Sequence, residues 1–369
     1  MKIKLKNTPE QVELIKAMGS SNKETAMAAQ EIFAGFIGPI VNKVLDLAAS
    51  SAPIFVDQNY DEDIQPSYPL DLFYAANVNE VQVWQQNIPG GLGSSLITGL
   101  QELLISTYRL DSAVSLLKRT VRRGQLPYVS LALNRMANEL RRKTERNAFL
   151  VLLKALGEAS TASTKHTIAA TVQNILQVND FSRLITLSQR LNTAFDGAGT
   201  PEEVYSKGAT DLFMSPEMVE QVRGFAYQPM NTRVPGGSSN VGAVALPDDL
   251  REKIFNSAGL AEIYGVAIHN MLEFGDAKRY NQLFGNFATA GIADAGGNFA
   301  AATDQLVLGI DLSREACIRP IAQNAETGAT LNVQVDDQFP MRSEKLGWVS
   351  SLEEGRVVID ARVLTGIIV

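Results

Sequence analysis

Two kinds of hydrophobic spacing alternate along the chain and predict a mixed helical and β architecture. Helical spacing covers residues 8–50, where a proline follows Thr8 and predicts a helix start, and Gly38-Pro39 predicts a kink or break. Residues 51–78 have no clean period and predict an extended arm. Within 8–50, a second helix is predicted to start near Asn22, and its apolar stripe consists of Ile32, Phe33, Phe36, Ile37, Ile40, Val41, Val44 and Leu45. Its partner is either the protein's own core or a neighbouring subunit.

Residues 79–111 predict a long hairpin. Apolar and polar positions alternate from Val81, and a flexible glycine-rich tip contains Gly90 and Gly91. The strongest helical pattern then covers residues 112–157. It predicts a short helix from Ser112 to about Arg123, and a long helix that Pro127 opens and Gly157 ends. About 30 helical residues span about 45 Å, a length that favours a beam across a flat, extended subunit.

The remaining sequence predicts a mixed region over 158–300 and a β-rich region over 301–369. The mixed region contains a helix at 186–195, a strand at 209–214 before a helix capped by Ser215, a helix from Pro247, and a strand at 263–268 with a glycine bend. Loops are predicted at 225–246 and 285–302. The later strands are predicted at 306–310, 316–321, 330–335, 345–349, 356–359 and 363–369. We expect the apolar C-terminal strand to be buried.

Composition narrows the class of protein. Of the 369 residues 45% are hydrophobic and 20% are charged, which is typical of a folded protein. No uninterrupted apolar stretch is long enough for a membrane span, and the basic N-terminus does not continue into a secretory signal. The net charge of -7 argues against binding of nucleic acid by phosphate neutralisation, although a protein that merely encloses nucleic acid remains compatible.

No motif for catalysis or for a cofactor stands out. The only cysteine, Cys317, lies in an apolar segment and is predicted to be a buried small hydrophobe; a catalytic thiol would need His166 or His269, whose flanking sequences suggest no such site. The glycine-rich stretch 89–95 lacks the lysine and spacing of a phosphate-binding loop. We predict no catalytic residue, no cofactor and no metal.

Charged residues gather in clusters of both signs. The acidic run Asp61, Glu62 and Asp63 lacks the further ligands and glycine of a calcium loop, so a solvated or partner-facing surface is predicted. Two basic patches consist of Lys118, Arg119, Arg122 and Arg123, and of Arg141, Arg142, Lys143 and Arg146. Nucleic-acid binding and subunit contacts both stay open for them, and the acidic balance of the chain favours subunit contacts.

The order of these elements resembles the major capsid proteins of tailed double-stranded DNA bacteriophages. Three stretches carry the resemblance. They are residues 143–159, where a polar block precedes an apolar turn, residues 211–218, where a strand leads into a Ser-Pro-capped helix, and residues 339–348 together with 360–369. The resemblance implies an α+β, Hong Kong 97-type capsid fold. It has an N-terminal arm (1–78), an extended hairpin loop (79–111), a spine helix and peripheral domain (112–180), an axial domain (181–300) and a β-rich return through both domains (301–369).

The resemblance also implies a function. It predicts a structural virion protein, not an enzyme, that forms hexamers and pentamers of an icosahedral head and encloses double-stranded DNA without sequence-specific binding. Scaffolding, portal and cement proteins are further partners, no membrane is involved, and assembly takes place in the host cytoplasm. The predicted interface residues are Asp61, Glu62, Asp63, Arg122, Arg123, Arg141, Arg142 and Arg146, with Gly90 and Gly91 at the hairpin tip. An encapsulin-like nanocompartment shell and an α/β enzyme that uses carboxylates are the alternatives.

Overall fold

The computed structural model describes residues 8–48, 50–62, 64–69, 102–160, 165–196, 208–225, 230–231, 243–244, 262–288, 299–313, 315–324, 328–336 and 344–369. The helices are α1 (Pro9–Met18), α2 (Lys23–Ala48), α3 (Lys118–Arg122), α4 (Leu126–Ala159), α5 (Val178–Asp196), α6 (Pro216–Gly224) and α7 (Arg279–Phe287), with a 3₁₀ turn at Ala361–Val363. No helix in these ranges is long and apolar enough to cross a membrane.

The strands are β1 (Val56–Asp61), β2 (Ser67–Pro69), β3 (Glu102–Leu104), β4 (Thr107–Leu117), β5 (Thr167–Ala169), β6 (Asp211–Met214), β7 (Met230–Asn231), β8 (Ala243–Val244), β9 (Glu262–Ile263), β10 (Val266–Asn270), β11 (Leu306–Ile310), β12 (Cys317–Gln323), β13 (Leu331–Asp336), β14 (Lys345–Gly355), β15 (Val357–Val358) and β16 (Leu364–Ile368). The described residues form two compact units. Unit 1 lies within 1–70, 99–148 and 317–357, and unit 2 lies within 149–316 and 358–369.

Unit 1 packs helices on a six-stranded sheet. The long strand β14 pairs antiparallel with β4 along one edge, and with β13 and then β12 along the other; β12 pairs in turn with β1 and β15. The helices α1, α2 and the first part of α4 bury apolar side chains against this sheet. The core contains Ile15, Met18, Phe33, Ile37, Val41, Val129, Leu133, Met136, Leu140, Leu331, Leu346, Trp348 and Leu352. The apolar stripe of α2 is thus covered in part by the protein's own core.

Unit 2 buries its sheet on both faces. Strand order is β5-β16-β11-β6-β10-β9, and every residue of the central strand β11 is buried. One face packs on α5 and α6 through Leu184, Val219 and their apolar neighbours. The other face carries Phe213, whose ring lies 5.6 Å from that of Phe149 in α4; the Phe149 ring also stacks on Tyr280 of α7 at 5.1 Å.

The segment predicted to be a helix from Ser112 to about Arg123 is mostly strand, and this prediction was wrong. Residues up to Leu117 belong to β4, and the helix α3 contains only Lys118–Arg122. The burial of β4 alternates residue by residue because Leu110, Val114 and Leu116 face the core. Cross-strand pairing with β14 over the whole of β4 decides the structure where the local apolar spacing fits both a helix and a strand.

One glycine-based boundary was also wrong. The helix α4 continues through Gly157 to Ala159, because this glycine serves close packing: a Cβ there would lie 3.1 Å from the Cβ of Phe287. Of the kink or break predicted at Gly38-Pro39, the break does not occur, because α2 continues through both residues with Pro39 inside the helix. The predicted bent strand at 263–268 is a tight hairpin, in which Tyr264 and Gly265 have positive φ and turn β9 into β10.

Several other predictions are confirmed. The strand β6 precedes a helix whose N-cap, Ser215, accepts a hydrogen bond from the Met218 amide at 3.2 Å. The C-terminal strand β16 is buried between β11 and β5. The helix predicted at 186–195 lies within α5. The loop predicted at 285–302 begins too early, since α7 extends to Phe287. Most of the hairpin at 79–111 and the helix from Pro247 lie outside the described residues.

Candidate interface residues and a buried charge network

The acidic run begins where β1 ends. Asp61 is the last residue of that strand, and both Asp61 and Glu62 are exposed. The strand pairs with β12 in a parallel register, Val56 opposite Ile318 and Asp61 opposite Gln323, so the position of the two carboxylates is set by the sheet. Asp63, Gly90 and Gly91 lie outside the described residues.

Arg122 acts within its own chain. Its Nε donates to the backbone oxygen of Gly19 at 2.5 Å, and Nη2 donates to Ser21 Oγ at 3.4 Å. Gly19 is the C-cap of α1, so the guanidinium satisfies a carbonyl at the negative end of that helix. This contact fixes α3 against α1. Arg123, the next residue, is exposed and follows α3 as its C-cap.

The residues of the second basic patch lie on different faces of α4. Arg142 is exposed and its Nη2 lies 2.7 Å from Glu139 Oε2 on the same helix, a type of pair worth only about 0.3–0.5 kcal/mol. Arg146 is half-buried and lies one turn further along the helix. Arg141 is half-buried too, and its charge lowers the pKa of Glu145, although burial of that carboxyl dominates and raises its pKa overall.

Sequence reasoning missed a buried charge network in unit 1. Glu354 in β14 is fully buried and accepts hydrogen bonds from Arg319 Nε at 2.6 Å, from Arg356 Nη2 at 3.3 Å and from the Tyr108 hydroxyl at 2.8 Å. Burial and the neighbouring carboxylate raise the pKa of Tyr108 to about 12, so the hydroxyl stays protonated and donates. Two cations and one phenol therefore share one carboxylate.

The network reaches the arm through β1. Asp57 Oδ1 lies 3.5 Å from Arg319 Nη1, and the Arg356 guanidinium lies 4.8 Å from the centre of the Phe55 ring. Glu145 in α4 accepts a hydrogen bond from the Ser51 amide at 3.3 Å. Glu145 Oε2 and Arg356 Nη1 are buried and have no hydrogen-bond partner among the described residues. These contacts tie residues 51–57 to the sheet and to α4.

The two histidines and the cysteine pack within the fold. The Nδ1 of His166 donates to the Leu364 carbonyl at 3.0 Å, and burial lowers the pKa of this histidine. His269 Nε2 lies 2.7 Å from Asp211 Oδ1, and its ring stacks on Phe213. Cys317 is buried in β12, as predicted. Within the described ranges, no group of three or more His, Cys, Asp or Glu side chains is placed to hold a metal ion.

Comparison with known proteins identifies the fold. No protein-family model matches the sequence, and no curated protein matches it. Among solved structures, the chain is similar to the capsid of an empty GTA particle, with a TM-score of 0.50 and 11% identity over 87% of this chain and 89% of that one. It is equally similar to the mature capsid of bacteriophage PhiM1, with a TM-score of 0.50 and 10% identity over 86% of each chain. An encapsulin from Synechococcus elongatus PCC 7942 gives a TM-score of 0.39 and 12% identity over 72% of this chain and 74% of that one.

The α+β prediction is confirmed: the chain has the Hong Kong 97-type capsid fold. The likeness extends over nearly the whole of both chains in each capsid comparison, so it concerns the complete arrangement of helices and sheets rather than one motif. At 10–11% identity it shows the fold, and the function has to be argued separately.

Proposed function

We propose that this chain, with its Hong Kong 97-type fold, is the major capsid protein of a tailed double-stranded DNA bacteriophage. It assembles into hexamers and pentamers that form an icosahedral head, and it encloses DNA without reading its sequence. The observation that carries the proposal is the shared fold with two capsid proteins over 86–89% of each chain. The net charge of -7 suits a shell that holds DNA without binding it tightly.

The surface of unit 1 supports a role in assembly. The outward side of α2 carries Ile32 and Phe36, whose exposed fractions are 64% and 51%. They lie one helical turn apart, so they form one apolar strip while Phe33 and Ile37 of the same helix fill the core. Exposed apolar strips of this kind are typical of surfaces that a neighbouring subunit covers. We infer a structural protein without a catalytic role.

Assembly of the purified full-length chain is the first test. Light scattering and negative-stain microscopy should show closed shells, tubes or hexamers rather than the 40.0 kDa monomer. A chain that stays monomeric even when the candidate scaffolding protein is present would contradict the proposal. Shells that retain enzyme cargo and no DNA in their native host would instead identify a nanocompartment.

The charged residues are proposed to lie at subunit contacts, with Asp61 and Glu62 on one side and Arg123, Arg142 and Arg146 on the other. We propose that Arg122 and Arg141 contribute to these contacts indirectly, by fixing the positions of neighbouring residues. Arg122 does so by binding the end of α1 within its own chain. We expect Arg142→Glu to reduce shell yield. The double variant Glu139→Arg with Arg142→Glu is the control, because it restores the helix pair while keeping the reversed charge at position 142. If the double variant assembles like the wild type, only the helix pair matters and position 142 makes no contact.

A further inference from the structure

Two side chains of opposite charge contact the same turn in unit 1. Residues 51–55 form this turn, which the Phe55 amide closes by donating to the Ser51 carbonyl at 3.4 Å. Glu145 of α4 accepts a hydrogen bond from the Ser51 amide at 3.3 Å, and the Arg356 guanidinium lies 4.8 Å from the centre of the Phe55 ring. A carboxylate from the helix and a guanidinium from the residue after β14 therefore approach one turn from two elements.

Each of these two side chains has one polar atom without a partner. Arg356 donates from Nε and Nη2 to the two oxygens of Glu354, at 3.4 and 3.3 Å, and only 2% of its side chain is exposed. Glu145 uses Oε1 for the Ser51 amide. The remaining atoms, Arg356 Nη1 and Glu145 Oε2, are buried and have no hydrogen-bond partner among the described residues. Because one is a donor and the other is an acceptor, their requirements are complementary.

The two side chains do not satisfy each other directly. Within the part of the chain that the structure describes, no ion pair of 4.0 Å or less joins Glu145 to Arg356. The guanidinium is still near enough to act on the carboxylate: burial raises the pKa of Glu145, and the charge of Arg356 lowers it in part. Buried polar atoms, and those of charged groups above all, are almost always hydrogen-bonded, because water solvates them in the unfolded chain. Both atoms therefore require a further partner.

The charges of the two groups restrict what this partner can be. The Arg356 guanidinium repels a cation, the Glu145 carboxylate repels an anion, and an apolar group would leave both atoms unpaired. A water molecule donates to Oε2 and accepts from Nη1, and buried water commonly joins polar groups in this way. We propose that ordered water bridges Glu145 Oε2 and Arg356 Nη1. The bridge extends the hydrogen bonds from Ser51 through both side chains to Glu354, and it does not depend on the proposed function.

An experimental structure at a resolution that shows ordered water tests the proposal directly. The full-length chain is studied unassembled by crystallography, or in shells by electron cryo-microscopy. We expect water density at about 2.7–3.2 Å from both Glu145 Oε2 and Arg356 Nη1. Three outcomes would overturn the inference: direct contact between the two side chains, a side chain from elsewhere that reaches both atoms, or no density beside them. None of these outcomes bears on the capsid proposal, which the assembly experiment tests.

A pair of variants tests whether the carboxylate holds the water. Glu145→Met removes both oxygens and keeps a side chain of similar length, so we expect the water density beside Arg356 to disappear. Glu145→Gln is the matched control, because its amide oxygen still accepts a hydrogen bond and should retain the water. Equal water density in the two variants would contradict the bridge. If Glu145→Met fails to fold, the wild-type structure decides the matter, since the bridge must be present there.

Discussion

Unit 1 and unit 2 each contain a six-stranded sheet, but the two sheets differ in the burial of their faces and in the length of their outermost strands. Unit 2 covers both faces with helices, buries all of β11 and ends its sheet in strands of two and three residues. Among the described residues, unit 1 packs helices on its sheet, keeps alternate residues of β4 exposed and has the eleven-residue strand β4 as the outermost strand beside β14. A sheet that is buried on both faces and a sheet with a long outer strand thus occur in one chain.

The difference predicts where the chain depends on its own packing. Phe149 is completely buried in unit 2 and contacts the rings of Phe213, Phe274 and Tyr280. We expect Phe149→Ala to lower the free energy of unfolding by about 3–5 kcal/mol, because a large cavity forms between two layers. Leu150 is the next residue of α4 and is 37% exposed, so Leu150→Ala should cost less than about 1 kcal/mol. Denaturant unfolding of both variants measures the difference, and equal costs would show that the aromatic layer is not a tight core.

Unit 1 depends instead on a shared carboxylate. Glu354→Gln leaves Arg356 buried without its counter-charge and leaves Arg319 with Asp57 as its carboxylate partner, and we expect a loss of about 3 kcal/mol in the free energy of unfolding. The adjacent Glu353 accepts hydrogen bonds from Tyr60 and Thr107 but pairs with neither arginine, so Glu353→Gln is the matched control with a loss of less than about 1 kcal/mol. If Glu354→Gln has the same free energy of unfolding as Glu353→Gln, the network positions these side chains without stabilising the fold.

The same contrast explains what the sequence could predict. In unit 2 the strand at Asp211–Met214 and the Ser215 cap were found because local signals and tertiary structure agree: an apolar run is buried on both faces, and a Ser-Pro pair starts a helix. In unit 1 the segment Ser112–Leu117 was predicted to be a helix, because its apolar residues fit both periods and the distant strand β14 decides between them.

The predictions of charged interface residues depended on charge alone, and charge does not reveal where a side chain points. Arg122 belongs to the same basic patch as Arg123, yet Arg122 binds the end of α1 within the chain whereas Arg123 stays exposed. Glu353 and Glu354 are identical neighbours in sequence. The period-two alternation of β14 directs one toward the buried arginines and the other toward the opposite face, which only the register of the sheet determines.

Two glycines of unit 1 extend the comparison to close contacts. A Cβ at Gly19 would lie 2.6 Å from Arg122 Cγ and 3.0 Å from the Arg122 backbone nitrogen, so Gly19→Ala forces α3 away from α1. We expect a loss of about 1–2 kcal/mol. Gly35 in α2 has nothing within 4 Å of the added Cβ, and Gly35→Ala should gain up to about 1 kcal/mol from its better helix propensity. Thermal unfolding of both variants checks the sign, and a stabilising Gly19→Ala would contradict the tight packing.

The smallest effects are expected from pH, with opposite signs in the two units. In unit 2, burial lowers the pKa of His166 from its usual 6.5, so the unfolded chain binds a proton more readily than the folded chain does. The free energy of unfolding therefore falls as the pH drops below about 6.5. Burial raises the pKa of Glu145 from 4.5 in unit 1, so the folded chain holds a proton that the unfolded chain loses, and stability falls as the pH rises above about 4.5. Each slope is at most about 1.4 kcal/mol per pH unit.

We expect His166→Gln to remove the loss on the acidic side of about pH 6.5, and Glu145→Gln to remove the loss that begins above about pH 4.5. Denaturant unfolding across this pH range measures how the free energy of unfolding of each variant depends on pH. If both variants change that dependence in the same direction, burial does not govern both groups.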